Sequence, residues 1–126
     1  MPIAFNEASI AGKLAAMGPG EFDALDFGVI GIDAQIVVRL YNEHESKSAG
    51  LARERVMGQH LFTAVAPCMN NYLVAQRFED AANAGTSLDA TIDYVLTLRM
   101  RPIKVQLRLV AEPAHALRYV LIARAP

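Results

Sequence analysis

A strict two-residue alternation of apolar and polar side chains in the last third of the chain most constrains its fold. Between positions 91 and 100, the apolar members of the alternation are Ile92, Tyr94, Leu96, Leu98 and Met100. Because successive side chains of a β-strand point to opposite faces, the pattern predicts a strand with one buried face. The alternation resumes over residues 103–109, and a final apolar run covers residues 117–123. Three antiparallel strands with tight connections are therefore predicted here.

The first forty residues predict a short helix followed by a β-hairpin. Residues 9–17 carry apolar side chains at helical spacing, and Gly18-Pro19-Gly20 is expected to end that helix abruptly. Residues 28–32 and 36–40 are apolar runs separated by Asp33-Ala34, a pattern typical of two strands joined by a turn. This part of the chain adds two strands to the three predicted near the end.

Short helices are predicted between the hairpin and the last three strands. Asn42 is suited to cap a short helix in which Tyr41 and Glu45, four residues apart, would share one face. Further helical turns are predicted over residues 52–57, and a longer helix over residues 72–84. The order of elements indicates an α+β domain with a central antiparallel sheet of five strands and short helices on one face.

Composition argues against several classes of protein. The 126 residues are 53% hydrophobic and 20% charged, with a net charge of −1, which suits one soluble domain and offers no basic surface to nucleic acid or a membrane. The single cysteine leaves no internal disulfide and no multi-thiolate metal site, which favours the reducing cytoplasm. The sequence shows neither a signal peptide nor an apolar run long enough to span a bilayer.

The sequence carries no recognisable catalytic or metal-binding motif. It has no glycine-rich phosphate loop, no nucleophile elbow and no histidine pair at metal-binding spacing. A lone cysteine such as Cys68 is usually a buried apolar residue, although the fold would be able to place it beside His44 or His60 as a nucleophilic pair. Glu43 and Glu45 form a possible acid–base pair, but carboxylates at a helix start are usually exposed. No enzyme is predicted.

Five runs of residues, in this order along the chain, resemble the photoactive yellow proteins. These runs are Asp26-Phe27-Gly28-Val29-Ile30; Leu40-Tyr41-Asn42 with Glu45 and Gly50; Val56-Met57-Gly58-Gln59; Phe62-Thr63-Ala64-Val65-Ala66-Pro67-Cys68; and Met100-Arg101-Pro102-Ile103-Lys104-Val105. The run ending at Cys68, preceded by Tyr41 and Glu45, is the most specific of them. The resemblance covers nearly the whole chain and implies a PAS fold, with an N-terminal cap (residues 1–26) and a PAS core (residues 27–126).

The resemblance implies a light-sensing site. Members of that family are cytoplasmic blue-light receptors that hold 4-hydroxycinnamic (p-coumaric) acid as a thioester on a cysteine, and Cys68 is the matching residue. Tyr41 and Glu45 match the two hydrogen-bond donors to the chromophore's phenolate. The resemblance also places around the chromophore, as its further binding residues, Phe62, Val65, Ala66, Met100, Leu51 and Ala49.

A buried phenolate needs hydrogen-bond donors, because an uncompensated charge in a dry environment is costly. Glu45 is therefore expected to be buried and protonated. By resemblance, light isomerises the chromophore and Glu45 then gives its proton to the phenolate. The resulting unpaired carboxylate is expected to loosen the fold, first in the N-terminal cap, which is expected to have few apolar anchors.

Four positions depart from the family pattern, and two of them, Leu96 and Leu98, replace an aromatic pair that the family usually carries on the long strand. Ala49 stands where the family usually has a threonine bonded to the tyrosine, and Leu51 stands where it has an arginine that gates the pocket. Loss of that arginine removes a positive charge that stabilises the phenolate, and Arg53 and Arg99 are candidates to replace it. The chromophore is expected to bind with an altered phenol pKa, colour or recovery rate.

Two other functions are compatible with these residues. One is a PAS module that senses another ligand or binds a protein, with Cys68 as a core residue. The other is a small enzyme with Cys68 as nucleophile, for which no base is identifiable. The chain is expected to be a monomer or a weak homodimer that signals to a separate downstream protein, with neither nucleic acid nor a membrane as partner.

Overall fold

Residues 3–97 and 102–124 are described by a computed structural model, in which short helices surround one sheet. The helices are α1 (Ile10–Ala16), α2 (Pro19–Asp23), α3 (Glu43–Ala49), α4 (Arg53–Val56) and α5 (Ala75–Ala84). A π-helical turn (Leu61–Val65) and a 3₁₀ turn (Pro67–Met69) lie between α4 and α5. The strands are β1 (Gly28–Ile32), β2 (Val38–Tyr41), β3 (Leu88–Leu96), β4 (Ile103–Ala111) and β5 (Arg118–Arg124).

The five strands form one antiparallel sheet in the order β2-β1-β5-β4-β3. The predicted hairpin and the predicted three-strand meander are both present, so the α+β class is confirmed. The first and last strands are neighbours in the centre, with Gly28 opposite Ile122 and Val29 opposite Leu121. This pairing brings residues from the two ends of the chain to the same part of the sheet.

The second strand begins two residues later than predicted and includes Tyr41. Asp33 causes the delay, because its carboxylate accepts hydrogen bonds from the backbone N–H groups of Gln35 (2.8 Å) and Val37 (3.1 Å), and Ile36 adopts a left-handed φ of 65°. Tyr41 therefore lies at the end of a strand. The prediction that Tyr41 and Glu45 share one face of a helix is wrong.

Two helix boundaries also differ from the prediction. The Gly18-Pro19-Gly20 run follows the first helix as expected, but it also begins α2, with Gly18 as cap and Pro19 in the first turn, where a missing N–H costs nothing. Helix α5 begins at Ala75, three residues late, because the Asn71 side chain accepts hydrogen bonds from the N–H groups of Leu73 and Val74.

The two faces of the sheet bury two separate apolar clusters. The site-face cluster is formed with α4, α5 and residues 61–69, and it includes Ile30, Tyr41, Phe62, Phe78, Leu107 and Ile122. The cap-face cluster lies between the sheet and the N-terminal segment, and it includes Ile10, Leu14, Phe22, Leu25, Val29 and Leu121. Both faces of the central strands are covered, which explains why all five residues of β1 are buried.

The N-terminal cap is anchored by buried apolar side chains. Ile10, Leu14, Phe22 and Leu25 are each at most 4% exposed. The expectation of few apolar anchors is therefore wrong. It failed because a helix of seven residues and one of five provide little periodicity, whereas each of these two helices buries its apolar side chains against the sheet.

Two buried polar side chains fasten the cap to the sheet. The amide of Asn42 donates to the carbonyls of Phe22 (2.9 Å) and Phe27 (3.0 Å). Arg108 of β4 donates through Nη1 to the carbonyls of Phe5 (3.0 Å) and Glu7 (2.7 Å). Burial of both side chains is stabilising only because their polar atoms are bonded.

Arg108 lies on the polar side of the predicted alternation but is only 7% exposed, because the cap covers that face of the sheet. Its remaining N–H groups bind the Asp89 carboxylate at 2.7 Å, and this hydrogen bonding raises the pKa of Arg108. Arg108 therefore remains charged while it holds the first residues of the cap.

We expect Arg108→Gln to loosen residues 5–7, because glutamine replaces a fork of charged donors that reaches both Asp89 and the cap. The free energy of unfolding should fall by about 2 kcal/mol, the size of one or two charge-assisted hydrogen bonds. Hydrogen exchange of the N-terminal amides measures the local effect. Arg39→Gln, which breaks an exposed pair with Asp33, is the control and should leave that exchange unchanged. If the N-terminal amides exchange hydrogen equally slowly in Arg108→Gln and Arg39→Gln, this role of Arg108 is contradicted.

Candidate functional site

The segment that carries Cys68 is irregular and is held by hydrogen bonds. Its π-helical turn begins after His60, whose ring nitrogen Nδ1 accepts a hydrogen bond from the N–H of Phe62 (3.2 Å). The Cys68 carbonyl accepts hydrogen bonds from Asn71 Nδ2 (3.2 Å) and from the Tyr94 hydroxyl of β3 (2.5 Å). Turns of the π-helical kind often occur at functional sites. These bonds fix the backbone of Cys68 against the sheet.

Six of the predicted site residues lie together around the site-face cluster. Three of them are buried within it: Tyr41, Phe62 and Ala66. Three are partly buried and pack against it: Leu51, Val65 and Cys68. Cys68 is a free thiol of intermediate exposure. Cys68 therefore lies at the border of the apolar cluster, neither fully enclosed by it nor fully exposed.

The remaining predicted site residues have other positions. Ala49 is buried at the end of α3, outside the cluster of apolar side chains. Glu45 lies on the same helix. Met100 lies outside the described residues, as does Arg99, so the place of Met100 beside the chromophore stays a prediction.

Glu45 is buried, as predicted, and it forms an ion pair with Arg124 of β5. Its side chain is 1% exposed, and its oxygens accept hydrogen bonds from Arg124 Nη1 (2.7 Å) and Nη2 (3.0 Å). This two-pronged arrangement matches an ionised carboxylate, in which both oxygens are acceptors. Both oxygens of Glu45 are directed at Arg124, and the expectation that Glu45 gives a proton to a phenolate stays a prediction.

Gly28 provides the space that Glu45 occupies. A Cβ atom at position 28 would overlap Glu45 Oε1 and would lie only 3.0 Å from Cδ and 3.2 Å from Cβ of the same side chain. The helix start also holds Glu45 in place, because the Asn42 side-chain oxygen accepts a hydrogen bond from the Glu45 N–H (3.1 Å). The helix cap at Asn42 and the absence of a side chain at Gly28 together determine where the Glu45 carboxylate lies.

The hydroxyl of Tyr41 remains protonated. Burial raises the pKa of Tyr41, and the nearby Glu45 carboxylate raises it further, while Arg124 lowers it. A protonated phenol is a hydrogen-bond donor. Because Tyr41 interacts with both charges of the pair, the three side chains share one electrostatic environment.

Among the described residues, Arg124 is an arginine near the site that was not among the predicted candidates. Arg53 Nε donates to the backbone carbonyl of Tyr41 (2.8 Å), and its Nη2 pairs with Asp23 (2.7 Å), so its donors are directed to the backbone and to α2. Arg124 follows Val120 and Ile122 at two-residue spacing, and both of those face the site. Extending the predicted last strand by one residue would have identified it.

Two of the cavities at the surface of the described chain have Arg124 in their walls. One lies between the cap and α3 and is lined also by Phe27 and His44. The other is lined by residues of β3 and β4 that include Asp93 and Lys104. Arg124 is 14% exposed in its side chain, so solvent reaches part of the guanidinium, whereas Glu45 is enclosed.

Residues 3–97 and 102–124 were compared with two simple patterns, a group of metal ligands and a membrane-spanning helix. Within these ranges, no three or more His, Cys, Asp or Glu side chains are grouped so as to hold a metal ion. Nor does any helix there have the length and apolar character required to cross a membrane.

Comparison with known proteins identifies both the fold and several relatives. Residues 22–124 match the family described as PAS fold. The photoactive yellow proteins of Rhodothalassium salexigens and Halochromatium salexigens are each 31% identical to this chain, over 85% and 83% of its length and the same shares of theirs. The photoactive yellow protein domain of the sensor histidine kinase Ppr from Rhodospirillum centenum superimposes with a TM-score of 0.81 at 37% identity, covering 90% of this chain and 98% of that domain.

We expect Gly28→Ala to displace Glu45 and weaken its pair with Arg124, because the new methyl group would occupy the space of a carboxylate oxygen. The free energy of unfolding should fall by about 1 to 3 kcal/mol, the usual cost of overpacking a core. Gly12→Ala is the control. It lies on an exposed position of α1 with open space around it, and alanine there should add about 0.5 to 1 kcal/mol. Equal stability of wild type and Gly28→Ala in urea unfolding would refute the close approach.

Proposed function

The chain belongs to the photoactive yellow protein family, whose fold is the PAS fold, and from this premise we propose that it is a photoreceptor that binds 4-hydroxycinnamic (p-coumaric) acid as a thioester on Cys68. Membership in the family supports a photoreceptor-like sensory role. When bound, the hydroxycinnamate supplies light absorption and isomerisation of its double bond. The resemblance implies blue light as the stimulus.

The observation that carries the proposal is that Cys68 and Tyr41 meet the same apolar cluster. The Cys68 sulfur can attack the acyl carbon of an activated hydroxycinnamate, which forms the thioester C–S bond while the activating group leaves and the thiol proton is released. The neighbouring side chains Phe62 and Ala66 offer apolar contact to an aromatic ring. The protonated Tyr41 hydroxyl can donate to a phenolic oxygen at the far end. A further buried donor, Arg124 Nε, has no hydrogen-bond partner among the residues described. The residues present therefore fit the group.

Glu45 can act as a proton donor in this function only when its pair with Arg124 is broken. The family resemblance implies that Glu45 donates a proton to the phenolate after light absorption. In this structure both Glu45 oxygens accept from Arg124, so Glu45 can donate only after it has taken up a proton and released the guanidinium. Proton uptake by Glu45 leaves the Arg124 charge without its partner, and an unpaired charge in a largely enclosed site is costly.

The hydrogen bonds of Asn42 connect Glu45 to the N-terminal cap. The Asn42 side chain accepts from the N–H of Glu45 through Oδ1 and donates to the Phe22 and Phe27 carbonyls through Nδ2. Movement of the α3 start therefore strains the bonds that hold the cap.

We propose that the cap changes conformation in the signalling state and that a separate protein in the cytoplasm binds it. In this proposal the sensor is a monomer or a weak homodimer and has no enzymatic activity of its own.

We expect the apoprotein to form a covalent adduct with an activated p-coumaroyl ester. Intact mass should rise by one chromophore, and the adduct should show a strong near-ultraviolet to blue absorbance band that changes under illumination and recovers in the dark. Cys68→Ala should give neither the mass increase nor the band.

An adduct that persists in Cys68→Ala, or a wild-type protein that gains no mass, would refute the proposed attachment. In the second case the chain would act as a PAS module for another ligand or a protein partner. Circular dichroism of Cys68→Ala provides the control for folding.

A further inference from the structure

We propose that Asn71 positions Cys68 for attachment of the chromophore. The side-chain amide of Asn71, together with the hydroxyl of Tyr94, holds the Cys68 backbone so that the side chain packs against the site-face cluster, where an aromatic acyl group gains apolar contact. This inference rests on the function proposed above. It gives a part in selecting the acyl donor to Asn71, a residue outside the runs that carry the family resemblance.

The Cys68 carbonyl belongs to a closed group of hydrogen bonds. It accepts from Asn71 Nδ2 (3.2 Å) and from the Tyr94 hydroxyl (2.5 Å), and Asn71 Nδ2 also donates to the Tyr94 oxygen (2.6 Å). An amide nitrogen carries two hydrogen atoms, so one is available for each acceptor. The Cys68 carbonyl, the Asn71 amide nitrogen and the Tyr94 hydroxyl are called the Cys68 clamp below.

The orientation of the Asn71 amide is fixed from its other side. Its oxygen accepts hydrogen bonds from the backbone N–H groups of Leu73 (3.0 Å) and Val74 (3.2 Å), and an N–H group can only donate. The amide nitrogen therefore points towards Cys68 and Tyr94. Val74 is fully buried in the site-face cluster, so the amide is held by packed backbone.

Cys68 depends on this support because its own turn is short. The 3₁₀ turn contains only the three residues Pro67–Met69, and so short a helix has little stability of its own. The last carbonyls of a helical turn have no partners within it, and the clamp supplies partners to the carbonyl of Cys68. Tyr94 is a firm support, since β3 pairs with β4 along its whole length.

The clamp acts on attachment through the direction of the thiol. Attachment forms a bond between the Cys68 sulfur and the acyl carbon, while the activating group leaves and the thiol proton passes to solvent. The Cys68 side chain packs against the same cluster as Phe62 and Ala66, so a fixed backbone offers the sulfur and the apolar contacts to one donor together. An acetyl group is too small to use those contacts. A clamped Cys68 therefore favours aromatic over small acyl donors.

Aspartate at position 71 separates the clamp from the local turn. It keeps an oxygen that accepts from the two backbone N–H groups, so the connection to α5 is retained, but it has no N–H to donate to Cys68 or Tyr94. Tyr94→Phe breaks the clamp from the other side and leaves Asn71 unchanged. Asn70→Ala is the matched control, because Asn70 is the exposed neighbour of the same residue type.

The first test observes the clamp in the apoprotein and needs no chromophore. Cys68 is the only cysteine of the sequence, so cysteine labelled with carbon-13 at its carbonyl marks one backbone carbonyl of the protein. Hydrogen bonds lower the stretching frequency of a carbonyl group. The labelled infrared band should therefore lie at higher frequency in Asn71→Asp and in Tyr94→Phe than in the wild type, and Asn70→Ala should leave it unmoved.

The second test measures acylation of the apoprotein by two esters with the same activating group, one p-coumaroyl and one acetyl. Intact mass followed over time gives both rate constants. The ratio of the p-coumaroyl to the acetyl rate constant should fall about 10-fold in Asn71→Asp and in Tyr94→Phe, since misplacement of a reacting group by about 1 Å can cost about 100-fold. Asn70→Ala should keep the wild-type ratio. If Asn71 served only the local turn, Asn71→Asp would behave like the wild type.

The outcomes separate this inference from the proposed function. A wild type that forms no adduct with the p-coumaroyl ester overturns the function. A wild type that forms the adduct, with the same ratio in Asn71→Asp and Tyr94→Phe or with a labelled band that does not shift, overturns the role of Asn71 while the function stands. Circular dichroism shows whether each variant is folded. If Asn71→Asp does not fold, Tyr94→Phe decides, because it breaks the clamp and leaves the Asn71 turn intact.

Discussion

The pairing of the first strand with the last determines the chemistry of this protein. Strand β1 lies directly beside β5, with Gly28 opposite Ile122, so Arg124 lies two residues beyond the position that faces Gly28. Glu45 enters the same space from α3, and the missing side chain of Gly28 allows it to approach. The two charged residues are 79 positions apart in sequence and 2.7 Å apart in space. Without the β1–β5 register Glu45 would be buried at 1% exposure without this partner, and a buried charge is costly when it is unpaired.

The Asn42 side chain connects this pair to the rest of the molecule. It is 1% exposed and makes four hydrogen bonds. Its two N–H groups donate and its oxygen accepts twice, so every donor and acceptor of this buried amide is bonded. Its partners belong to the cap, to β1 and to α3. A buried polar network of this kind is stable only when every member is bonded, so a shift of one partner affects the others. The site and the cap lie on opposite faces of the sheet, and Asn42 joins them at its edge.

Much of the fold followed from local patterns. The alternation over residues 103–109 predicted β4, and the apolar run near the end predicted β5, because side-chain direction in a strand has a period of two. Capping residues predicted α3 with Asn42 at its start. The errors arose where distant side chains replace local signals, as at β2, which Asp33 delays, and in the cap, whose short helices gain stability only against the sheet.

The sequence by itself determined the α+β class and the family, because strand periodicity, capping and the order of motifs are properties of neighbouring residues. Only the tertiary structure decided the burial of Glu45 and the identity of its partner. Burial and charge pairing depend on which strands meet, and the meeting of β1 with β5 involves contacts between residues about ninety positions apart. Arg124, ordinary in sequence at the end of a strand, is thereby brought to 2.7 Å from Glu45.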